Sequence, residues 1–235
     1  HCRNFLVQPG KNTRDLNYFC CMQDTYKHKG MRKQLIEQLR QKGITDERVL
    51  TAFDAIPRHF FLDLAFEQQA YSNVAFQIGA GQTISHPYTV AFQTSILELN
   101  KGEKVLEIGT GSGFQTCILC SLGMKVFSIE RQKELHIKAK KIIDHFRFTP
   151  KLFFGDGYEG KETYAPFDKI LVTCGAPFIP QKLLQQLKVG GMMVIPVGDL
   201  DSQEMHRITK ISDSEYKEEV FGNFSFVPML EKTVR

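Results

Sequence analysis

The stretch KVLEIGTGSGFQTCILCSLG, residues 104–123, decides the fold. Lys104 to Ile108 form a short apolar run with one carboxylate, Glu107, inside it. Three glycines follow within five positions, Gly109, Gly111 and Gly113. Apolar residues then recur at helical spacing through Cys117, Ile118 and Leu122, and Gly123 stands where a helix would stop. A buried strand that turns on glycine directly into a helix opens an α/β unit. The same grammar repeats downstream. KVFSIE (125–130) predicts a second strand, and a helix follows through Leu135, Ile142 and Ile143. KLFFGDG (151–157), FDKILVT (167–173) and GGMMVIPVG (190–198) predict three more strands, with a short helix from Pro180 to Leu187 before the last. Strands alternating with helices predict a mostly parallel sheet covered on both faces. Two runs around SDSEYKEE (212–219) then read as an antiparallel pair that ends the sheet.

Upstream of residue 104 the pattern is helical and then irregular. Leu35, Ile36 and Leu39 share one face of a helix that begins at Met31 and stops at Gly43. Thr45 or Asp46 can cap a second helix, closed by Pro57. An aromatic-rich irregular region from Phe60 to Tyr71 leads to IGAGQTISHP (78–87), read as a glycine-dotted loop carrying hydroxyls. A third helix is expected from about Pro87 to Leu99. Residues 1–30 show no amphipathic period and no signal-peptide pattern, and are expected to be a poorly ordered or non-native extension. One domain then covers 31–235: helical and loop segments at 31–100, a core at 104–198 and terminal strands at 199–235.

Composition narrows the function classes. Gly and Pro together are 27 of 235 residues, too few for a collagen-like or low-complexity chain. No run approaches the roughly 18 apolar residues of a membrane span. The net charge is +4, but residues 31–235 carry 25 basic against 24 acidic residues, so no basic footprint for nucleic acid is evident. Cys117 and Cys120 are spaced as neighbours on a helix, and no second pair completes a metal site. No disulfide framework is apparent, which suits a reducing cytoplasm.

The chemistry is concentrated at the strand ends, where an open α/β sheet binds its ligand. Gly109, Gly111 and Gly113 clear space for a ligand to approach the backbone at a helix N-terminus. Their G-x-G-x-G spacing differs from the G-x-G-x-x-G of dinucleotide folds, which disfavours a nicotinamide oxidoreductase. Glu130 ends the second strand where a ribose hydroxyl pair would be held, or is simply a solvated strand end. Asp156 and Gly157 follow the third strand, with the carboxylate able to accept from an adenine amino group. Thr173 follows the fourth. Glu107, a charge inside a buried strand, needs a partner.

That order of features resembles the Rossmann-like S-adenosylmethionine-dependent methyltransferases. Within them, GQTISHPYTVA (81–91) and VLEIGTGSGFQT (105–116) resemble the protein-L-isoaspartate O-methyltransferases. DERVLTAFDAIPRHFF (46–61), GDGYEG (155–160), APFDKILVT (165–173), LKVGGMMVIPVG (187–198) and FVPM (226–229) extend the likeness over Met31 to Leu230. Residues 1–30 have no counterpart in it, and Cys174 stands where relatives tend to have smaller residues such as Ala.

The resemblance implies a cytoplasmic, monomeric repair enzyme that methylates the α-carboxylate of isoaspartyl residues in proteins and peptides, with no nucleic-acid or membrane partner. It implies S-adenosyl-L-methionine as cofactor, held by Glu107, Gly109, Thr110, Gly111, Ser112 and Gly113 with Glu130, Asp156, Gly157 and Thr173. Gln82, Thr83, Ile84, Val227 and Pro228 are then expected at the substrate and Ser85 in the catalytic position. Ser85 also stands just before a helix, so its local alternative is a helix cap. His59 and His86 are assigned nothing. A small-molecule or RNA methyltransferase, or a binding module that retains the nucleoside pocket, are the competing functions.

Overall fold

The computed structural model describes residues 23–234; most of the expected N-terminal extension therefore lies outside the described residues. Seven strands form the main sheet: β3 (Lys104–Ile108), β4 (Lys125–Glu130), β5 (Lys151–Phe154), β6 (Phe167–Val172), β7 (Leu187–Gly198), β8 (Gln203–Lys210) and β9 (Tyr216–Phe224). They lie in the order β5-β4-β3-β6-β7-β8-β9, parallel through β7 and antiparallel for the last two. The chain winds outward in both directions from β3, so a crevice opens between the ends of β3 and β6. Register makes that crevice level. Ile108 is paired with Ile129 on one side and Val172 on the other, so β3, β4 and β6 run out together.

Alternation along β3 assigns its residues to two layers. Val105 joins Leu119, Leu171 and Val194 on one face, while Leu106 and Ile108 join Ile170, Leu183 and Met193 on the other. The first face carries α3 (Pro87–Ile96) and α4 (Phe114–Ser121), with α5 (Lys133–His145) in a core shared with the N-terminal helices. The short α6 (Gln181–Gln185) packs on the second.

Two expectations are corrected. The first helix, α1, spans Tyr26–Gln41 rather than starting at Met31, and residues 23–30 belong to the folded body. Thr25 caps α1, and buried Arg32 reaches back to both oxygens of Asp24 at 2.9 and 3.1 Å. His28 stacks on His59 with ring centroids 3.9 Å apart. His59 in turn sits 2.8 Å from the Tyr71 hydroxyl. These are polar ties, and apolar periodicity cannot register them. A second helix, α2 (Glu47–Ala55), starts at Asp46 as expected, its carboxylate accepting from Arg48 N.

The second correction concerns residues 78–87, which are not an open loop. Phe76–Gly79 and Gln82–Ile84 pair as a two-stranded hairpin, β1 and β2. Ala80 and Gly81 turn it with φ of 51° and 67°, the left-handed pair that a tight hairpin requires. The hairpin fixes where Thr83 faces. No helix among the described residues is long and apolar enough to cross a membrane.

Candidate active site

The glycine loop is built by steric necessity. Gly109 has φ +98°, and a Cβ there would lie 2.5 Å from Thr173 Oγ1. That hydroxyl closes the gap between β3 and β6, donating to the carbonyls of Ile108 and Gly109 at 2.9 and 2.7 Å. Thr110 Oγ1 is 2.6 Å from Ser128 Oγ, and Ser112 Oγ accepts from Phe114 N at 3.2 Å. Both hydroxyls therefore brace the loop. Gly113 is the left-handed cap of α4.

Glu130 is buried, which excludes the solvated strand end. Its carboxylate accepts from Gly111 N and Gln132 N, each at 2.8 Å. Each oxygen keeps a second lone pair for a hydroxyl donor. Asp156 accepts from Tyr158 N at 2.9 Å and from Lys232 N at 2.6 Å, so it anchors the C-terminal segment beside the crevice. Gly157 walls it, because a Cβ at that position would collide with Ile108.

Two cavities meet above the strand ends. The first lies between Gly109, Glu130 and Gly157 on the sheet side and Gln82, Val227 and Pro228 on the other. Gly175 places that outer wall by donating to Val227 O at 2.9 Å and accepting from Met229 N at 2.7 Å. The second cavity runs from Thr83, Ile84 and Ser85 to Thr110, Ser112 and Gln115. Thr83, Gly109, Gly111 and Thr173 belong to both, so they mark the junction. Among the described residues, no side chain lining the second cavity is titratable. Ser85 does not cap the helix: the N-cap is His86, without a side-chain capping bond, and Pro87 opens the first turn. Burial lowers the His86 pKa, and it walls neither cavity.

Glu107 lies beneath the loop, fully buried. Thr116 Oγ1 donates to its Oε2 at 2.5 Å, while Oε1 has no partner among the described residues. Burial pushes its pKa up to about 7, while the Thr116 hydrogen bond opposes the shift and the Glu130 charge adds to it. An acceptor left open in this way, beside a glycine cradle that admits no Cβ, fits a ligand carrying a cationic N–H donor. Sequence reading did not single out Ile129, Arg131, Met229 and Leu230 of the first cavity, nor Gln93 and Gln115 of the second. The available signal was polarity within apolar helices, since Gln93 and Gln115 are both buried.

Comparison with known proteins agrees with this geometry. The family model described as "Protein-L-isoaspartate(D-aspartate) O-methyltransferase (PCMT)" matches residues 30–234. A Christiangramia forsetii protein-L-isoaspartate O-methyltransferase is 57% identical over 211 residues, covering 89% of this chain and 99% of its own. Its Cytophaga hutchinsonii counterpart is 55% identical over 211 residues, covering 90% and 96%. Among solved structures, a chain titled protein-L-isoaspartate O-methyltransferase superposes with a TM-score of 0.74 at 27% identity, over 84% of this chain and 65% of its own. A Plasmodium falciparum chain described by the same activity, in complex with S-adenosyl-L-homocysteine, shares the fold with a TM-score of 0.75 at 24% identity, over 85% and 98%.

Proposed function

Because the chain belongs to the protein-L-isoaspartate(D-aspartate) O-methyltransferase family, we propose that the two joined cavities are its active site. The enzyme transfers a methyl group from S-adenosylmethionine to the α-carboxylate of isoaspartyl residues in damaged proteins and peptides. The methyl ester then closes to a succinimide, which reopens partly to aspartate. On this reading the first cavity takes the nucleoside, with Glu130 accepting from the ribose hydroxyls and Gly157 leaving room for the base. Asp156 keeps the strap over that cavity in place. The junction at Thr83 and Thr173 is where oxygen, methyl and sulfur line up.

The observation that carries the reading is the pair of cavities joined at Thr83, Gly109, Gly111 and Thr173, the second lined among the described residues by hydroxyls and amides and by no titratable side chain. A carboxylate is already ionised at neutral pH, so this reaction needs no general base. The cofactor supplies the methyl group on a cationic sulfur. The chain supplies position and a dry wall: hydroxyls of Thr83 and Ser85 and the backbone at Ile84 orient the carboxylate, and Val227 and Pro228 shut out water. Opposite charges are neutralised during the transfer, so a poorly solvated cavity favours it. Alignment alone can supply roughly 7–11 kcal/mol of the barrier.

The near-neutral balance of residues 31–235 speaks against an RNA substrate. The free thiols of Cys117, Cys120 and Cys174 support a reducing cytoplasm. The charged side chains Lys217, Glu218 and Glu219 on edge strand β9 support a monomer. Two peptides identical except for isoaspartate against aspartate test the assignment. The isoaspartyl peptide is methylated and the aspartyl one essentially ignored, because misplacing the carboxylate by about 1 Å costs on the order of 100-fold. Equal methylation of both would overturn it.

A further inference from the structure

We propose that Gln115 is the acceptor that holds the methionyl ammonium group of the cofactor; this rests on the cofactor reading above. Gln115 is buried in the first turn of α4 and lines the second cavity. Its Nε2 donates to Thr94 Oγ1 at 3.0 Å. The Thr94 hydroxyl spends its single hydrogen on Val90 O, 2.7 Å away. Thr94 can therefore only accept, so the Gln115 amide cannot be flipped without losing its anchor. Its Oε1 is left as a buried acceptor with no donor among the described residues. Glu107 Oε1 is in the same condition, and Thr116, the next residue of that turn, is hydrogen-bonded to Glu107. Buried acceptors are nearly always satisfied, and one that lines a cavity is open to a donor on a ligand.

The chemistry of the two reactants selects that donor. The isoaspartyl carboxylate is acceptor-only, and the peptide N–H groups around it are the competing donors. The adenine and ribose donors belong with Glu130 and Gly157 in the first cavity, whose lining excludes Gln115. The ammonium at the other end of the cofactor carries three N–H groups, one of which Gln115 Oε1 can accept.

Calorimetry on the full chain separates the possibilities with two probes, S-adenosylhomocysteine and 5′-methylthioadenosine, which lacks the amino-acid end. Gln115→Leu is expected to weaken S-adenosylhomocysteine by about 10- to 100-fold, the scale of a hydrogen bond to a charged group. Binding of 5′-methylthioadenosine should stay within about twofold, and the unliganded melting temperature should hold. Thr94→Val, which frees the amide to turn, is expected to cause a smaller loss with the same selectivity and serves if Gln115→Leu fails to fold. Equal loss of both probes would reduce Gln115 to a structural role and overturn the proposal. So would unchanged affinity, or a rise in KM for isoaspartyl peptide alone, which would give Oε1 to a substrate N–H. If the wild-type protein binds neither probe, the cofactor reading itself fails.

Discussion

Glu107 is a fully buried carboxyl with one oxygen unpartnered among the described residues. Burial pushes its pKa up to about 7 from an ordinary 4.5. A carboxyl raised by folding contributes stability that is complete below about 4.5 and is lost as pH rises through about 7. On the proposed cofactor reading a nearby ammonium would favour the ionised form, so ligand binding would work against that proton. S-adenosylhomocysteine affinity is therefore expected to rise about tenfold from pH 6 to pH 8, the ionised fraction growing by that ratio around a pKa of about 7. Calorimetry at the two pH values, with Glu107→Gln as a flat control, checks it. Ser85 makes a different prediction. It caps nothing, so Ser85→Ala is expected to leave melting temperature and S-adenosylhomocysteine affinity nearly unchanged. The lost hydrogen bond to a charged carboxylate should lower kcat/KM about 10- to 100-fold. Ser85→Thr should fall between.

At the scale of elements, the additions around the sheet are held by polar ties. Residues 23–30 are fastened through the Thr25 cap and the Asp24–Arg32 pair. A chain that starts at Met31 loses both and leaves Arg32 without Asp24. Arg32 keeps Asp54 at 3.2 Å and the Tyr71 hydroxyl at 3.1 Å, so the loss is a cap worth about 1 kcal/mol and one ion pair worth about 1 kcal/mol more. A melting temperature lower by roughly 4–8 °C than that of the full chain is expected at 2–4 °C per kcal/mol. The same region has an acid limit. Burial, with the neighbouring His28, holds the His59 pKa down to about 4. A histidine lowered by folding contributes stability that is full above about 6.5 and is lost as pH falls toward about 4. Urea titrations at pH 7 and pH 5 should show the loss, and His59→Gln should shrink it.

For the whole molecule, ligand and fold are linked because the site is assembled from distant parts of the chain. The hairpin at 76–84, the strand ends of the sheet and the segment 226–230 meet only in the folded state. S-adenosylhomocysteine at about 100 times its Kd should therefore add about 2.7 kcal/mol of stability. That corresponds to a rise of roughly 5–11 °C in melting temperature. Glu130→Ala should cut the rise at the same ligand concentration, since Glu130 braces Gly111 and faces the first cavity. An unchanged shift would remove Glu130 from the cofactor site.

The parallel core was legible in the sequence because its causes are local. Strand β3, the glycine turn and α4 follow from apolar spacing and from glycines that admit no Cβ, and β4, β6 and β7 repeat the pattern. The antiparallel end of the sheet was legible for the same reason, as two runs either side of a polar turn. Gly109 and Glu130 were singled out by local pattern and Thr83 and Ser85 by family resemblance, whereas that Thr83 and Gly109 line the same two cavities is a tertiary fact. Local reading could not see that Ala80 and Gly81 make a hairpin of an apparent loop, or that Asp156 turns to Lys232, 76 residues away. Nor could it see that the helix begins at Tyr26, because capping and ion pairs hold that turn and leave no apolar period. The open acceptor on Gln115 lay deepest, since it exists only because Thr94, on another helix, has already given its hydrogen to Val90. Periodicity records what each residue does for its own element, and partners far along the chain are chosen only when the elements pack.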